Sequence, residues 1–306
     1  MSFPDFTLPQ MLREQARVRP DEIAIRQKDF GVWKPTSWKT YYERACSVGL
    51  GFMSLGLSDG GHIAVLSENR IEWVLSQLGA GLVGGVTVGV YSTSPSNEVA
   101  YVLAHSDAEI VICEDQEQVD KILERRDELP SVKQVVVIET KGVRSYPADF
   151  VTTFRDLEQT GKAYGAAHPG LIEERLSRQT LRDIALLIYT SGSTGKPKGA
   201  ALSYRNIRAE AMGASDRLRM TAATRHLSYL PLCHVAEQFL TAMGPIYVGA
   251  QVNFGESIRT VQEDLREVAP TIFLGVPRIW EKLHSAIYIK LVEAGGFRKK
   301  LFDQGF

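Results

Sequence analysis

The apolar residues of this chain follow two alternating spacings. Short runs rich in β-branched and aliphatic residues occur at 62–68, 86–90, 109–114 and 133–139. Between them, apolar residues recur every three or four positions, as on one face of a helix, at 40–57, 69–81 and 117–129. A strand–helix–strand order of this kind predicts a mostly parallel sheet with helices on its faces.

The pattern weakens in the middle of the chain and then resumes. Residues 140–180 combine Gly, Pro and mixed charge, which predicts a long connection with one short helix at 171–178. After it we predict an apolar strand at 184–189, a helix from Asn206, an extended segment at 226–232 and a strand at 271–275.

Capping residues indicate where several helices begin. Small polar side chains bond the free N–H groups of a first turn, and proline fits the first helical position. The chain offers the pairs Thr40 with Glu43 and Thr260 with Glu263 as capping boxes, Asn69 as an N-cap and Pro277 as a first residue.

Composition narrows the class of protein. The 306 residues are 44% apolar, with 35 basic and 36 acidic side chains. This balance argues against a dedicated nucleic-acid binder, which carries a basic surface. The three cysteines are scattered without a CxxC pair, which favours reduced thiols and a cytoplasmic location. We find no secretory leader and no spanning segment, and leave peripheral membrane contact as an open alternative.

A first glycine-rich motif, at residues 79–84, fits G-x-G-x-x-G. A dinucleotide-binding site would need a strand before this motif and a helix after it. Here a predicted helix precedes it and a strand follows. We therefore interpret these glycines as small residues that let a helix end pack closely on the sheet.

A second stretch, "YTSGSTGKPKGA" at 189–200, directly follows a predicted buried strand. Glycine N–H groups can surround one anion, hydroxyls add donors or a Mg²⁺ ligand, and lysines add positive charge. It is not a Walker A loop, because Thr190 replaces the first glycine and Pro197 follows Lys196. A mobile surface loop is the alternative. The apolar strand in front favours a ligand-binding loop at a strand's carboxyl end.

The segment "YTSGSTGKPKG" resembles the phosphate-loop signature of the adenylate-forming superfamily. "GVYSTSPSNEVAYVLAHSDAEIVICED", "YLPLCHVAEQ" and "FLGVPRIWEKLH" resemble segments of long-chain, bubblegum-like acyl-CoA synthetases in the expected order. The resemblance covers nearly the whole chain. It implies an α/β fold with two lobes of mostly parallel sheet flanked by helices, an incomplete adenylate-forming N-terminal domain. We place the lobes at residues 1–180 and 181–306.

The resemblance also implies a reaction and a set of binding residues. Such enzymes join AMP from ATP to a carboxylate with Mg²⁺, and then pass the acyl group to CoA. Ser193, with Thr194 second, is the implied hydroxyl ligand of Mg²⁺, and Lys198 is either a phosphate ligand or a brace paired with a carboxylate. The implied nucleotide-binding residues are Thr190, Ser191, Gly192, Ser193, Thr194, Gly195, Lys196 and Lys198.

His234 is the residue that the resemblance places beside the reacting carboxylate. Its neighbour Cys233 suggests a Cys–His nucleophile pair, which we discount because neighbours on an extended segment point to opposite faces. Glu237 matches the long-chain pattern, without a chemical role that we can assign. The other five histidines show no metal-ligand spacing.

A fatty acid is the substrate that the sequence favours. Amino-acid-activating relatives carry an aspartate after the "LP" segment, and none occurs here between Asp216 and Asp264. The apolar side chains of this region either line an acyl pocket or form ordinary core; they are Phe239, Leu240, Met243, Ile246, Tyr247 and Val248.

The family's later motifs, including a ribose-binding aspartate and a lid lysine, do not occur in these 306 residues. Two hypotheses follow. The chain is the N-terminal part of an AMP-forming acyl-CoA ligase and inactive alone, or it is a non-catalytic nucleotide- or acyl-binding fragment. The same fold acting on another carboxylate is a further alternative.

Overall fold

Strands and helices alternate through residues 5–190 and 195–293, the part of the chain that the computed structural model describes. The strands are β1 (Ile23–Asp29), β2 (Val32–Ser37), β3 (His62–Leu66), β4 (Val86–Val90), β5 (Ala108–Cys113), β6 (Gln134–Val137), β7 (Val151–Thr153), β8 (Ile184–Thr190), β9 (Lys198–Ser203), β10 (Arg225–Ser228) and β11 (Gln251–Phe254). The α-helices are α1 (Leu8–Val18), α2 (Trp38–Ser54), α3 (Ile71–Leu82), α4 (Ser96–His105), α5 (Gln116–Glu124), α6 (Phe154–Ala167), α7 (Leu171–Arg178), α8 (Tyr204–Arg217), α9 (Val235–Gln238), α10 (Gly244–Val248), α11 (Val261–Val268) and α12 (Pro277–Glu293).

Two sheets organise these elements. The larger has the order β7-β6-β5-β3-β4-β8-β9, and all its neighbours are parallel except β8 and β9. The smaller has the order β10-β11-β1-β2, in which only β1 and β2 are antiparallel. The predicted mixed fold of mostly parallel sheets flanked by helices is confirmed. The division into lobes at residue 180 stays a prediction.

The central strands β3, β4 and β5 of the larger sheet are buried on both faces. Along β3, Ile63 and Val65 belong to one apolar cluster, whereas Ala64 and Leu66 belong to another on the opposite face. Parallel strands covered by helices on both faces are expected to be apolar throughout rather than alternating. This explains why the sequence pattern identifies these strands so clearly.

The glycine motif at residues 79–84 serves close packing, although Gly79 packs α3 against helix α2 and not, as predicted, a helix end against the sheet. Gly79 lies within α3, and a Cβ built on it would stand 2.9 Å from the backbone nitrogen of Gly49 in α2. The two helix backbones therefore meet at a distance that only glycine permits. The motif then leads into β4, so it lacks the strand–loop–helix context of a dinucleotide site.

Two segments differ from the sequence prediction. Residues 140–180 contain β7 and α6 in addition to the predicted short helix α7. Helix α6 was not predicted because most of its residues are polar, so the helical spacing of its apolar residues is weak. Thr153 is its N-cap, and the Thr153 side chain accepts from the Asp156 N–H group. The predicted strand at 271–275 is wrong, because only an isolated bridge joins Ile272 to His226.

Helix starts were predicted to within a few residues. The helix assigned to Thr40 begins at Trp38, and Ser37 is its N-cap. Arg70, not Asn69, is the N-cap position of α3, and Thr260 precedes α11 without a side-chain cap. Pro277 is the first residue of α12, as predicted. Within the described ranges no helix is long and apolar enough to cross a bilayer.

We predict that Gly79→Ala destabilises the fold by about 1–3 kcal/mol, because the added methyl group overlaps the α2 backbone. Gly213→Ala in α8 is the matched control, since nothing lies within 4 Å of its Cβ position and alanine favours a helix. Urea unfolding followed by circular dichroism measures both variants. Equal stability of the two variants would contradict the packing role of Gly79.

Candidate functional site

The glycine-rich stretch connects two antiparallel strands at one edge of the larger sheet. β8 ends at Thr190, which pairs with Lys198 at the start of β9. β8 is also parallel to β4, so the stretch leaves the sheet at the carboxyl edge of its parallel strands. The prediction that it follows strand 184–189 is confirmed. Ser191, Gly192, Ser193 and Thr194 lie outside the described residues.

The described residues of this hairpin present positive charge. Lys196 and Lys198 are exposed, and neither takes part in the ion pairs found between described residues. The Lys196 Nζ atom lies 4.9 Å from the centre of the Tyr101 ring. Gly195 has a φ of +125°, which a side chain would strain. The hairpin therefore offers two uncompensated cations beside a backbone shaped by glycine.

The segment that carries His234 crosses the larger sheet at the same edge. A Cβ built on Gly89 of β4 would lie 2.9 Å from the Cα atom of Cys233. β4 is the strand next to β8. The chain just before His234 therefore contacts β4 near its carboxyl end, and β8 runs beside that end up to Thr190. The structure thus places Cys233, the residue before His234, against the strand next to β8, at whose end the glycine-rich stretch begins.

The side-chain amide of Asn69 holds the segment before His234 with three hydrogen bonds, which use all of its polar atoms. Its Nδ2 group donates to Ser228 Oγ at 2.8 Å and to the Leu230 carbonyl at 2.6 Å. Its Oδ1 atom accepts from the Leu232 N–H group at 3.1 Å. Asn69 follows β3 of the larger sheet and Ser228 ends β10 of the smaller one, so one side chain joins the ends of both sheets.

A buried carboxylate continues this network. The Glu237 Oε1 atom accepts from Ser228 Oγ at 2.8 Å and Thr241 Oγ1 at 2.6 Å, and lies 3.2 Å from His226 Nε2. All four side chains are buried. Glu237, which had no role from the sequence, thus holds helix α9 against β10. His226 is buried in this network and has a structural role.

His234 stands at the N-cap of α9, at the exposed side of the network. Its Nδ1 atom accepts from the Ala236 N–H group at 3.2 Å. A neutral imidazole that accepts at Nδ1 carries its proton on Nε2. His234 therefore has a hydrogen-bond donor left for a ligand, held by a helix end and by the clamped segment behind it.

Cys233 is unsuited to act as a nucleophile. Its side chain is buried, and this burial raises the pKa of the thiol to about 12. The thiolate is the reactive form, and it is scarce at neutral pH. His234 is exposed while Cys233 is buried, in agreement with the opposite orientation expected for neighbours.

A cavity of about 480 Å³ opens where the carboxyl ends of the two sheets face each other. Its lining includes Ser67, Asn69, Arg70, Tyr91, Ser228 and Cys233. Arg70 is paired with Glu72 and Glu139, each at 2.8 Å, so its charge is compensated. Four of the six proposed acyl-pocket residues, Phe239, Leu240, Met243 and Ile246, are instead buried in the core. Tyr247 and Val248 pack partly buried against it.

The fold and this edge describe an α/β ligand-binding protein with a glycine- and lysine-rich hairpin at its strand ends. The sequence matches the AMP-binding enzyme family over residues 12–303, and the chain belongs to this family.

Individual relatives agree with this assignment. The long-chain-fatty-acid–CoA ligase ACSBG2 of Xenopus laevis is 32% identical over 98% of this chain and 41% of its own length. The chain thus spans about two fifths of this relative. The long-chain-fatty-acid-CoA ligase FadD1 of Archaeoglobus fulgidus aligns with a TM-score of 0.72 at 17% identity, over 89% of this chain and 52% of that one. ATP-bound MatB of Rhodopseudomonas palustris aligns at 0.69 and 20% identity, over 90% and 50%.

We predict that Asn69→Ala lowers the free energy of unfolding by about 1–3 kcal/mol, because it leaves the Leu232 N–H group and the Leu230 carbonyl without their partner. Asn69→Asp keeps the acceptor for Leu232 but places a second oxygen against the Leu230 carbonyl, so it should be at least as destabilising as Asn69→Ala. Asn97→Ala, at an exposed position in α4, is the control. An Asn69→Ala variant as stable as the control would contradict the clamp.

We predict that Cys233 reacts slowly with iodoacetamide in the folded chain between pH 7 and 9. Its raised pKa keeps the thiol protonated there, whereas unfolding returns the pKa to about 8.5 and exposes the group. Mass spectrometry of labelled peptides, with and without urea, gives the two rates. Fast labelling of native Cys233 at pH 7.5 would restore the nucleophile hypothesis.

Proposed function

We propose that this chain contributes the phosphate- and acyl-facing part of an AMP-forming long-chain fatty acid–CoA ligase. In that reaction a fatty-acid carboxylate oxygen bonds to the α-phosphorus of ATP and pyrophosphate leaves. The CoA thiol then takes the acyl group, and AMP leaves. The observation that carries the proposal is the hairpin of β8 and β9, whose described residues include Gly195 and the two exposed lysines Lys196 and Lys198.

The hairpin fits the pyrophosphate end of ATP. Two anions must meet in the first step, so positive charge and N–H donors must hold the phosphates and compensate their charge. Lys196 and Lys198 supply charge beside the strand ends, and Gly195 lets the backbone approach closely. A Mg²⁺ ion that accompanies ATP would add further positive charge beside the phosphates. Ser193 and Thr194 are its proposed hydroxyl ligands, and no metal-binding cluster of His, Cys, Asp or Glu occurs among the described residues.

His234 is the proposed contact of the fatty-acid carboxylate. Its Nε2 donor is free once Nδ1 accepts from Ala236, and a donor at this place orients a carboxylate oxygen toward the nucleotide. The Asn69 and Glu237 network fixes the segment behind it. The ATP-bound relative and the long-chain ligase relatives support the choice of nucleotide and acyl substrate.

A non-catalytic nucleotide- or acyl-binding role is the second candidate. Lys198 stays a proposed phosphate ligand, since it has no carboxylate partner within the described ranges.

We expect the chain to bind ATP in a Mg²⁺-dependent manner and to bind AMP more weakly, because AMP lacks the phosphates that the hairpin would hold. Lys196→Ala should weaken ATP binding about 10- to 100-fold, the loss expected for one charge-assisted hydrogen bond. Lys162→Ala, an exposed lysine on α6, should leave it unchanged. Titration calorimetry measures the affinity of the wild-type chain for ATP, with and without Mg²⁺, and for AMP. It also measures the affinity of each variant for ATP. Equal affinity for ATP and AMP would rule out the phosphate role.

We also expect a polypeptide of these 306 residues to form little acyl-CoA when supplied with ATP, Mg²⁺, CoA and fatty acids of several lengths. Binding without turnover fits both candidates, because the ligase part is expected to be inactive alone. Pyrophosphate release and thioester formation are followed in parallel, with His234→Ala as the variant that tests the carboxylate contact. Robust turnover by the wild-type chain would disprove the expected inactivity.

A further inference from the structure

Helix α4 contacts both arms of the glycine-rich hairpin. Tyr101 and His105 lie one turn apart on the same face of this helix. The Tyr101 hydroxyl donates to the Pro197 carbonyl at 3.1 Å, on the arm that leaves the glycine-rich stretch. His105 Nδ1 lies 2.8 Å from the Tyr189 hydroxyl, on the arm that enters it. One helix face thus holds both ends of the stretch.

The hydrogen bond to Pro197 restricts the backbone of the hairpin next to Lys196. Proline has no N–H group, so its carbonyl is its only backbone hydrogen-bonding group, and Tyr101 binds it. Proline also restricts the residue before it to extended conformations. Lys196 is that residue, so an anchored Pro197 limits the directions in which the Lys196 side chain can leave the hairpin.

The Tyr101 ring holds the other end of Lys196. The ammonium lies 4.9 Å from the ring centre, within the distance at which a cation is attracted to an aromatic face. The ring is itself flanked by His105, with 5.5 Å between the ring centres. Lysine loses considerable rotamer freedom when it binds a ligand, and a cation already held beside the hairpin loses less.

We propose that Tyr101 is a positioning residue for the phosphate loop. Its hydroxyl fixes the exit of the glycine-rich stretch at Pro197, and its ring holds the Lys196 ammonium where phosphate binds. The second part rests on the proposed function, because it requires Lys196 to contact nucleotide phosphate. Nothing in the sequence pattern singles out Tyr101, which lies about 95 residues before the hairpin.

Two substitutions separate the hydroxyl from the ring. Tyr101→Phe removes only the bond to Pro197 and should weaken MgATP binding about two- to tenfold. Tyr101→Leu also removes the aromatic face and should cost a further two- to fivefold. The control is Tyr164→Leu, because Tyr164 stacks on His168 with the same spacing on α6, at 4.1 Å between ring centres. Circular dichroism and urea unfolding show that each variant is folded.

The decisive measurement compares the MgATP affinity of Tyr101→Phe and Tyr101→Leu in a chain that also carries Lys196→Ala. If the ring acts through Lys196, the difference between Tyr101→Phe and Tyr101→Leu should vanish in the Lys196→Ala background. A difference that persists there would show that the ring only packs, and would overturn the positioning role. Equal MgATP affinity of wild type, Tyr101→Phe and Tyr101→Leu would overturn it as well.

A second measurement needs no nucleotide. Reductive ¹³C-methylation labels the lysines, and Lys196→Arg identifies the Lys196 signal by its loss. Ring current from Tyr101 should shift that signal upfield in wild type and Tyr101→Phe, but not in Tyr101→Leu. An unshifted Lys196 signal in wild type would overturn the placement. If no form binds MgATP, the proposed phosphate role fails, and the Lys196 shift alone still supports or overturns the contact with Tyr101.

Discussion

The hydrogen bonds of one side chain, Asn69, join the ends of the two sheets, and the geometry of the candidate site depends on them. Asn69 follows a strand of the larger sheet, and its three bonds reach Ser228, Leu230 and Leu232 beyond a strand of the smaller sheet. A half-buried amide is costly to leave unpaired, and this one uses both donors and its acceptor. The sequence between Ser228 and His234 is therefore fixed along its backbone rather than only at its ends.

The same network explains the presence of a buried carboxylate next to His234. Glu237 is held by two hydroxyls and by His226, so its Oε1 atom has three partners inside the buried network. The Glu237 Oε2 and His226 Nδ1 atoms already lack a hydrogen-bond partner within the described residues. A partly satisfied network of this kind specifies one arrangement more than it stabilises the fold, because its burial is costly and its geometry has few alternatives.

The sequence predicted those parts of the fold that repeat a simple period. The strands β3, β4 and β5 are buried on both faces, and their continuous apolar runs have no competing interpretation. Helix α6 escaped notice because its burial rests on a few residues, such as Phe154 and Leu157, within a polar sequence. The segment 271–275 is apolar like a strand but finds only one bridging partner within the described residues. Strand formation depends on such a partner, and no local pattern reveals it.

The residues of the candidate site also fall into two groups, those that the sequence identified and those that it did not. The glycine-rich hairpin and His234 were recognisable because their chemistry is local, with donors, charges and glycines in one short stretch. Asn69 and Tyr101 were not, because each acts across a long sequence separation on a backbone carbonyl that the sequence does not mark. For Asn69 the local pattern even predicted a different role, that of a helix cap, whereas Arg70 occupies the N-cap position of α3. The proposed ligand-binding residues are thus visible in the sequence, whereas the residues that hold them in place become visible only in the folded structure.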